Sequence, residues 1–406
     1  MTADAALLDR ARAVIPGGMY GHLDSRVLGP EYPQFFAAGD GARVWDADGR
    51  EYIDFMCAWG PIVLGHRSPR VESAVRAQME RGDCLNGPTE GFVELAERFA
   101  ALVDHAAWAM LCKNGTDATS LALRIAREAT GRERVLVARG AYHGAAAWCV
   151  PGGAGATAGE RASLTPFEFN DLASVEAALA ERDEPIAAVI ACPMRHDMWT
   201  DLELPSPEFA RGVRALCDRE GAALILDEVR CGVRLDLRGS WAALGVQPDL
   251  SAWSKAIANG YPLAAVLGSE ALRDAAARTY VTGSFWYGAV AIAAALATLA
   301  EVETTDAIGR MARAGEQFTA GLAEQAAHHG LVVTVSGPPQ LPFLSFADDP
   351  DWQVARHWAG ECARRGVYLH PGHNWFMSAA HGDAEIEQAL EATDAAFAQV
   401  GSAVPQ

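Results

Sequence analysis

Lysine is almost missing from this sequence: Lys113 and Lys255 are the only two among 33 basic residues in a chain of 406. No run is long and apolar enough to cross a bilayer, and the first residues lack the basic start and apolar core of a signal peptide. Eight cysteines form no CxxC pair or zinc-like spacing, which predicts reduced thiols, no metal and a cytoplasmic location. A net charge of −19 disfavours nucleic acid and anionic membrane as partners, because both attract basic surfaces.

Because lysine is so scarce, the positions of the two lysines are informative about function. Arginine supplies nearly all the positive charge, so a retained lysine suggests chemistry that a guanidinium cannot perform, such as forming an imine with an aldehyde. Codon bias also explains the scarcity, but it does not explain where the remaining lysines stand.

Strand-like apolar runs alternate with helix-period segments between about residues 69 and 300, which predicts a mostly parallel sheet covered by helices. The predicted strands are Trp108–Cys112, Val135–Ala138, Ala187–Ala191 and Ala223–Leu226. A hairpin within 41–55, a strand within 366–369 and a closing helix over 383–400 indicate a smaller α+β unit. We therefore predict an α/β chain with an N-terminal segment 1–65, a large domain 66–300 and a C-terminal small domain 301–406.

Two residues suggest a catalytic centre. Asp227 ends the apolar strand AALILD, and functional groups of open α/β sheets collect at such strand ends. Lys255 follows 28 residues later among small and apolar neighbours, where desolvation favours the neutral, nucleophilic amine. A helix cap for Asp227 and a surface position for Lys255 are the alternatives.

Two further segments follow predicted strands. Asn114-Gly115-Thr116-Asp117 opens a helix, where backbone N–H groups and the Thr116 hydroxyl can bind an anion, although ordinary helix capping accounts for the same residues. Tyr142-His143-Gly144 offers an aromatic ring for stacking on a flat cofactor, although a core tyrosine is the simpler interpretation.

In this order the motifs are similar to those of class III aminotransferases, the pyridoxal 5′-phosphate (PLP) enzymes of fold type I, and most of all to the glutamate-1-semialdehyde 2,1-aminomutase branch. The similar stretches cover nearly the whole chain and are IPGG, WDADGREYIDF, AWGPIVLGH, NGTDATSLALRIARE, GAYHG, ILDEVRCGVR, SKAIANGYPLAAVLG and RRGVYL.

The resemblance implies a role for each matching residue. Lys255 carries PLP as a Schiff base, and Asp227 holds the pyridine nitrogen. Val229 backs the ring, Tyr142 stacks on it and His143 lies beside it. It also implies that Gly115 and Thr116 hold the phosphate, joined by Ser284 across a homodimer interface.

Several positions depart from the aminomutase pattern. Asp24 stands about where the carboxylate-binding arginine belongs, and Arg26 is displaced by two residues. Cys192 replaces the usual glutamate before Pro193, either as a nucleophile or as a packing residue. Arg195 or Arg26 can bind a substrate carboxylate or form a surface ion pair. The lid segment 152–166 is short, which favours release of a keto product over retention of an intermediate.

We therefore expect an aminotransferase with a ping-pong mechanism. An aromatic-rich substrate pocket is predicted from Tyr20, His22, Trp59, Phe285, Trp286 and Trp375. An aminomutase and an amino-acid racemase or epimerase on the same scaffold remain open. A NAD-dependent oxidoreductase would need the glycine-rich stretch 153–158 to bind a dinucleotide, but no helix opens directly after it. A non-catalytic regulator with this fold would need an added DNA-binding module, which the length and acidity disfavour.

Overall fold

The computed structural model describes residues 2–401, which divide into two compact units. The first unit consists of residues 2–68, 198–202 and 309–401, and the second of residues 69–197 and 203–308. The boundaries between the units follow residues 68 and 308, a few residues beyond the limits of 65 and 300 expected from the sequence. The division into domains stays a prediction.

The first unit begins with a helix and an antiparallel sheet. Helix α1 (Ala3–Val14) starts after Thr2, whose hydroxyl accepts the amide hydrogen of Ala5 at 3.2 Å. Three strands follow, β1 (Phe36–Asp40), β2 (Arg43–Asp46) and β3 (Glu51–Asp54), with β2 antiparallel to both neighbours. The Asp46 carboxylate closes the β2–β3 turn by accepting the amide hydrogens of Asp48 and Arg50. The hairpin expected within 41–55 is confirmed.

The second unit contains a seven-stranded sheet. Its strands are β4 (Trp108–Cys112), β5 (Arg134–Ala138), β6 (Leu164–Phe167), β7 (Ile186–Ala191), β8 (Ala223–Asp227), β9 (Leu250–Trp253) and β10 (Ala264–Gly268). They lie in the order β4-β10-β9-β8-β7-β5-β6. All pairs are parallel except those of β10, which is antiparallel to β4 and β9.

Helices precede, connect and follow these strands. They are α2 (Pro69–Met79), α3 (Glu90–Leu102), α4 (Gly115–Thr130), α5 (Ala158–Arg161), α6 (Leu172–Ala180), α7 (Pro207–Glu220), α8 (Arg273–Arg278) and α9 (Ala289–Thr304). The glycine-rich stretch 153–158 leads only into α5, which has four residues. A dinucleotide-binding turn opens a long helix, so this stretch lacks the expected context of such a site.

Alternate residues of the central strands face opposite sides of the sheet, as strand geometry requires. Ile190 of β7 packs in one cluster with Leu121 of α4, and Val189, its neighbour in the chain, packs in another with Phe209 of α7. Each of these buried side chains stabilises the fold by about 1.5–3 kcal/mol. The predicted α/β class, with helices on both faces of a mostly parallel sheet, is confirmed.

The remaining segment completes the first unit. Its elements are α10 (Ala307–His328), β11 (Val333–Ser336), β12 (Phe343–Phe346), α11 (Gln353–Arg364), β13 (Val367–Tyr368) and α12 (Asp383–Gly401). Strand β13 pairs in parallel with β3, so Val367 lies opposite Ile53 and the two ends of the chain share one small sheet. Within residues 2–401, no helix has both the length and the apolar character that crossing a membrane demands.

Candidate active site

A cavity of about 320 Å³ lies in the second unit, where the loops after β4, β5, β7, β8 and β9 meet. It is lined by Asn114, Gly115, Thr116, Tyr142, His143, Gly144, His196, Asp227, Val229, Arg230, Ser254 and Lys255. Carboxyl ends of parallel strands share one edge of a sheet, and this is where open α/β folds bind ligands. The structure thus brings together all the residues expected to contact PLP except Ser284.

Lys255 stands directly after β9 and is the amine of this cavity. Burial lowers the pKa of its amine to about 7, and the positive charge of Arg230 acts in the same direction. The backbone of Lys255 is left-handed, with φ of 50°, which costs a non-glycine residue on the order of 1 kcal/mol. The preceding Ser254 hydroxyl donates to the carbonyl of Leu263 at 2.8 Å, which ties this short turn to the start of β10. The lysine is therefore held in place, and about half of it is uncharged at pH 7.

Asp227, the last residue of β8, pairs with His143. The Nδ1 atom of His143 lies 2.7 Å from one carboxylate oxygen, and the other oxygen accepts the amide hydrogen of Val229 at 3.1 Å. His143 is itself anchored, because its carbonyl accepts the hydroxyl hydrogen of Thr119 at 2.8 Å. The carboxylate is thus fixed in direction, as a residue that binds a protonated ring nitrogen must be.

Helix α4 points its N-terminus at the cavity. Its cap is reciprocal: the side chain of Asn114 accepts the amide hydrogen of Asp117, whose carboxylate accepts that of Asn114. Two glycines near Thr116, its chain neighbour Gly115 and Gly144 of the loop after β5, leave no room for a side chain. A Cβ on Gly115 would lie 2.9 Å from a Val229 methyl, and one on Gly144, with φ of 120°, would lie 2.3 Å from the Thr116 hydroxyl. A helix N-terminus with such close backbone approach is suited to a phosphate group.

Two titratable residues of the cavity were missed in the sequence. His196 and Arg230 are both nearly buried, and the Nδ1 atom of His196 has no hydrogen-bond partner. Burial holds the pKa of His196 well below its usual value, and the charge of Arg230 acts in the same direction. Both follow strands that were predicted, β7 and β8, so the position of each at a strand end was an available signal.

Three residues expected at the site lie elsewhere in the second unit. Ser284 and Phe285 are exposed and do not line the cavity. Trp286 is partly buried, and it packs against the cluster beneath α4. One chain alone therefore brings none of the three to Lys255.

The other aromatic candidates belong to the first unit. His22 and Trp59 make an edge-to-face contact, with ring centroids 4.7 Å apart, and both line a second cavity of about 550 Å³. Tyr20 is largely exposed. Trp375 is 1% exposed, packs between Phe318 and Phe343, and therefore serves the core of this unit.

Both arginines considered for a substrate carboxylate already have acidic partners. Arg26 donates to the two carboxylate oxygens of Asp24, at 2.7 and 2.6 Å, and to the carbonyl of Gly17. Arg195 lies 3.1 Å from the carboxylate of Glu203, and the two backbones form a short bridge.

Cys192 is buried at the end of β7, with Sγ 3.9 Å from the Nδ1 atom of His143. Burial raises the pKa of this thiol well above its usual value, so the nucleophilic thiolate is disfavoured. The Nδ1 atom already pairs with Asp227, and the sulfur therefore packs rather than reacts.

Together these groups fit PLP. A buried amine with a lowered pKa, a carboxylate held by an imidazole, and a helix N-terminus lined by glycine match its aldehyde, ring nitrogen and phosphate.

The chain is similar to known enzymes over most of its length. The family model "Aminotransferase class-III" matches residues 28–380. Aminopentol aminotransferase of Sphingopyxis macrogoltabida is 49% identical over 399 residues, covering 98% of this chain and 94% of the relative. Glutamate-1-semialdehyde 2,1-aminomutase of Nitrosospira multiformis is 34% identical over 426 residues, covering 98% and 100%.

A solved structure is similar over nearly the whole chain. The FumI protein of Sphingopyxis sp. MTA144, in its PLP internal aldimine form, superposes with a TM-score of 0.97 at 49% identity, covering 98% of this chain and 96% of that one. The family match extends over most of the chain, and the named relatives include aminotransferases along nearly its full length. The chain belongs to the class III aminotransferase family and is a PLP-dependent aminotransferase.

Proposed function

We propose that the Nζ atom of Lys255 carries PLP and that Asp227, directed by His143, holds the ring nitrogen. The observation that carries this proposal is the joint position of a buried amine, with a pKa of about 7, and a paired carboxylate in one cavity. Gly115 and Thr116 would hold the phosphate, and Val229 and Tyr142 would contact the ring.

Each residue then has a task in transamination. Bound PLP supplies an electron sink for the substrate carbon. With PLP bound, the incoming donor amine would displace Lys255, and the Nζ atom of Lys255 would then move a proton from the substrate carbon to the cofactor. Asp227 would keep the ring nitrogen protonated. Water would release the donor as a carbonyl compound and leave its amino group on the cofactor for the acceptor, which is the ping-pong order expected from the short 152–166 segment.

The two lysines allow a direct test. Visible absorbance of bound PLP, followed by borohydride reduction and peptide mass analysis, will locate the modified residue. We expect the label on Lys255, no such band in Lys255→Ala, and an unchanged band in Lys113→Ala, because Lys113 does not line the cavity. A label on Lys113, or a normal band in Lys255→Ala, would contradict the assignment.

We further propose that the amino donor carries no carboxylate on its amino-bearing carbon. Arg26 and Arg195 are each neutralised by their own acidic partners, Asp24 and Glu203, and neither is left to clamp a carboxylate. The name of one relative, aminopentol aminotransferase, supports an amino alcohol as donor.

A matched pair of donors tests this substrate class. Alaninol and alanine differ only in carrying a hydroxymethyl group or a carboxylate, and each can be mixed with the PLP form in the absence of acceptor. We expect alaninol to bleach the visible band at least roughly tenfold faster, because a buried unpaired carboxylate is penalised. A preference for alanine that disappears in Arg26→Ala or Arg195→Ala would overturn the proposal. An isomer of the donor as sole product would instead indicate an aminomutase or racemase.

We also propose a homodimer in which Ser284 of one copy completes the phosphate site of the other. The exposure of Ser284 and Phe285, outside the cavity of their own chain, supports this arrangement. Light scattering should give twice the 43.1 kDa chain mass. Mixed dimers of Lys255→Ala and Ser284→Asp chains should regain activity, because one site then keeps both native residues. No recovery would refute the sharing. Eight free thiols support a cytoplasmic location.

A further inference from the structure

The cavity around Lys255 contains a second cation. Arg230 follows Val229 after the end of β8, is 8% exposed, and lines the same cavity as Lys255. A guanidinium stays charged at neutral pH and is costly to bury, so its presence beside an amine that must react uncharged calls for a reason.

We propose that Arg230 is a positioning residue that acts through its charge, keeping the Lys255 amine in the uncharged form that attacks carbonyl compounds. This deepens the proposed function, because it rests on Lys255 as the reactive amine. A fixed positive charge beside an amine disfavours a second positive charge and leaves the neutral state unaffected.

Among the charged groups around Lys255, Arg230 contributes most to lowering the pKa of the amine. Burial is the largest cause of the lowered pKa of Lys255, and Arg230 is the charged group with the largest effect. Asp227 acts in the opposite direction, and Arg234 acts in the same direction as Arg230 but more weakly. Cys231 is a buried thiol whose own pKa is raised by burial.

The two histidines of the cavity do not replace this cation. Burial holds the pKa of His196 well below its usual value, so His196 adds no charge near neutral pH. His143 is engaged by Asp227 at 2.7 Å.

Carboxylates on two strand ends allow the guanidinium to be buried. Asp227 of β8 and Asp197, in the loop after β7, both favour the charged form of Arg230. Their charges offset part of its burial cost, which also makes Arg230 a poor receptor for a substrate carboxylate. In a substrate clamp, by contrast, the guanidinium has no carboxylate of the protein beside it and forms its ion pair with the ligand.

Competitive labelling tests the proposal without relying on catalysis. The full cofactor-free chain is treated with trace acetic anhydride across a range of pH, and labelling of its only two lysines is measured by mass spectrometry. Lys113 is the internal reference. We expect Arg230→Gln to raise the labelling midpoint of Lys255 by about one pH unit, a roughly fivefold loss of reactivity at pH 7, because the native amine is about half uncharged at that pH. Lys113 should be unchanged.

Three variants separate charge from shape. Arg230→Lys should keep the midpoint of Lys255 near that of the native chain, because it retains the charge. Arg230→Met should behave like Arg230→Gln and replaces it if that variant does not fold. Arg139→Gln removes an arginine that pairs with Glu168 outside the cavity, and it should move nothing.

The PLP-loaded proteins give a second reading, since the pH midpoint of the visible absorbance should rise in Arg230→Gln by a similar amount. An unchanged Lys255 midpoint in folded Arg230→Gln or Arg230→Met would overturn the proposal, as would an Arg230→Lys variant that matches Arg230→Gln. A higher KM for a keto-acid acceptor with unchanged labelling would likewise overturn it in favour of substrate binding. Because labelling needs no cofactor, this failure is distinct from PLP binding at another residue.

Discussion

Replacing Gly144 with alanine tests whether Thr116 holds the phosphate. The new Cβ would lie 2.3 Å from the Thr116 hydroxyl and 3.0 Å from its Cα, so the first turn of α4 must move. The left-handed backbone at this position adds a folding cost of about 1–3 kcal/mol. Losing one hydrogen bond to a charged phosphate costs about 1.5–3 kcal/mol, so PLP should bind about 10- to 150-fold more weakly.

The control is at the other end of the same helix. Gly131 follows α4 with φ of 68°, and a Cβ there would meet nothing within 4 Å. Gly131→Ala should therefore cost about 1 kcal/mol of folding stability and leave PLP affinity unchanged. Affinity is measured by titrating PLP against absorbance, and stability by denaturant unfolding. Native PLP affinity in Gly144→Ala, or an equal loss in Gly131→Ala, would refute the reasoning.

Three other changes separate the site from the scaffold. His143→Asn removes the 2.7 Å partner of Asp227, and kcat should fall about 10- to 100-fold in steady-state assays while the unfolding midpoint changes little; native kcat would contradict the pairing. Burial lowers the pKa of His381 to about 4, so the folded chain binds fewer protons than the unfolded chain between pH 4 and 6.5. Stability should therefore decrease as the pH is lowered from 6.5 to 4, by up to about 1.4 kcal/mol per pH unit for this residue, and urea unfolding of His381→Asn should show a smaller decrease. Ile190→Ala, at a fully buried position, should cost about 2–5 kcal/mol in the same unfolding assay with PLP affinity retained.

The central strands were predictable because their apolar runs are bounded by polar or turn-forming residues. Trp108–Cys112 was expected and observed with the same limits, and Ala223–Leu226 differs by one residue. The rule that strand ends share one edge then predicts that Asp227, Lys255 and the 114–117 segment meet. The apolar pattern of β10 does not show that this strand is antiparallel to its neighbours. Its direction follows from its pairing with β4 and β9.

The site prediction was limited because the sequence does not show which way a side chain points. Aromatic residues near a motif suit a pocket and a core equally well, and only packing reveals that Trp375 is buried while Tyr20 is exposed. The role of Arg230 was missed because buried arginines are rare and because its acidic neighbours, Asp227 at the end of β8 and Asp197 in the loop after β7, are far apart in the sequence. A local ion pair decided whether Arg26 was available: its partner Asp24, two residues earlier, was visible in the sequence, but their bidentate geometry was not.

The reversed strand β10 has a consequence for how the chain becomes competent during synthesis. It joins β9, which leads to Lys255, to β4, which leads to Thr116, and its pairing of Ala264 with Cys112 closes a loop of about 150 residues. Closing such a long loop costs conformational entropy, so distant strand pairs form late in folding. The two sides of the cofactor site thus meet only after β10 has emerged from the ribosome. Capture of PLP by a nascent chain would mark completion of its sheet.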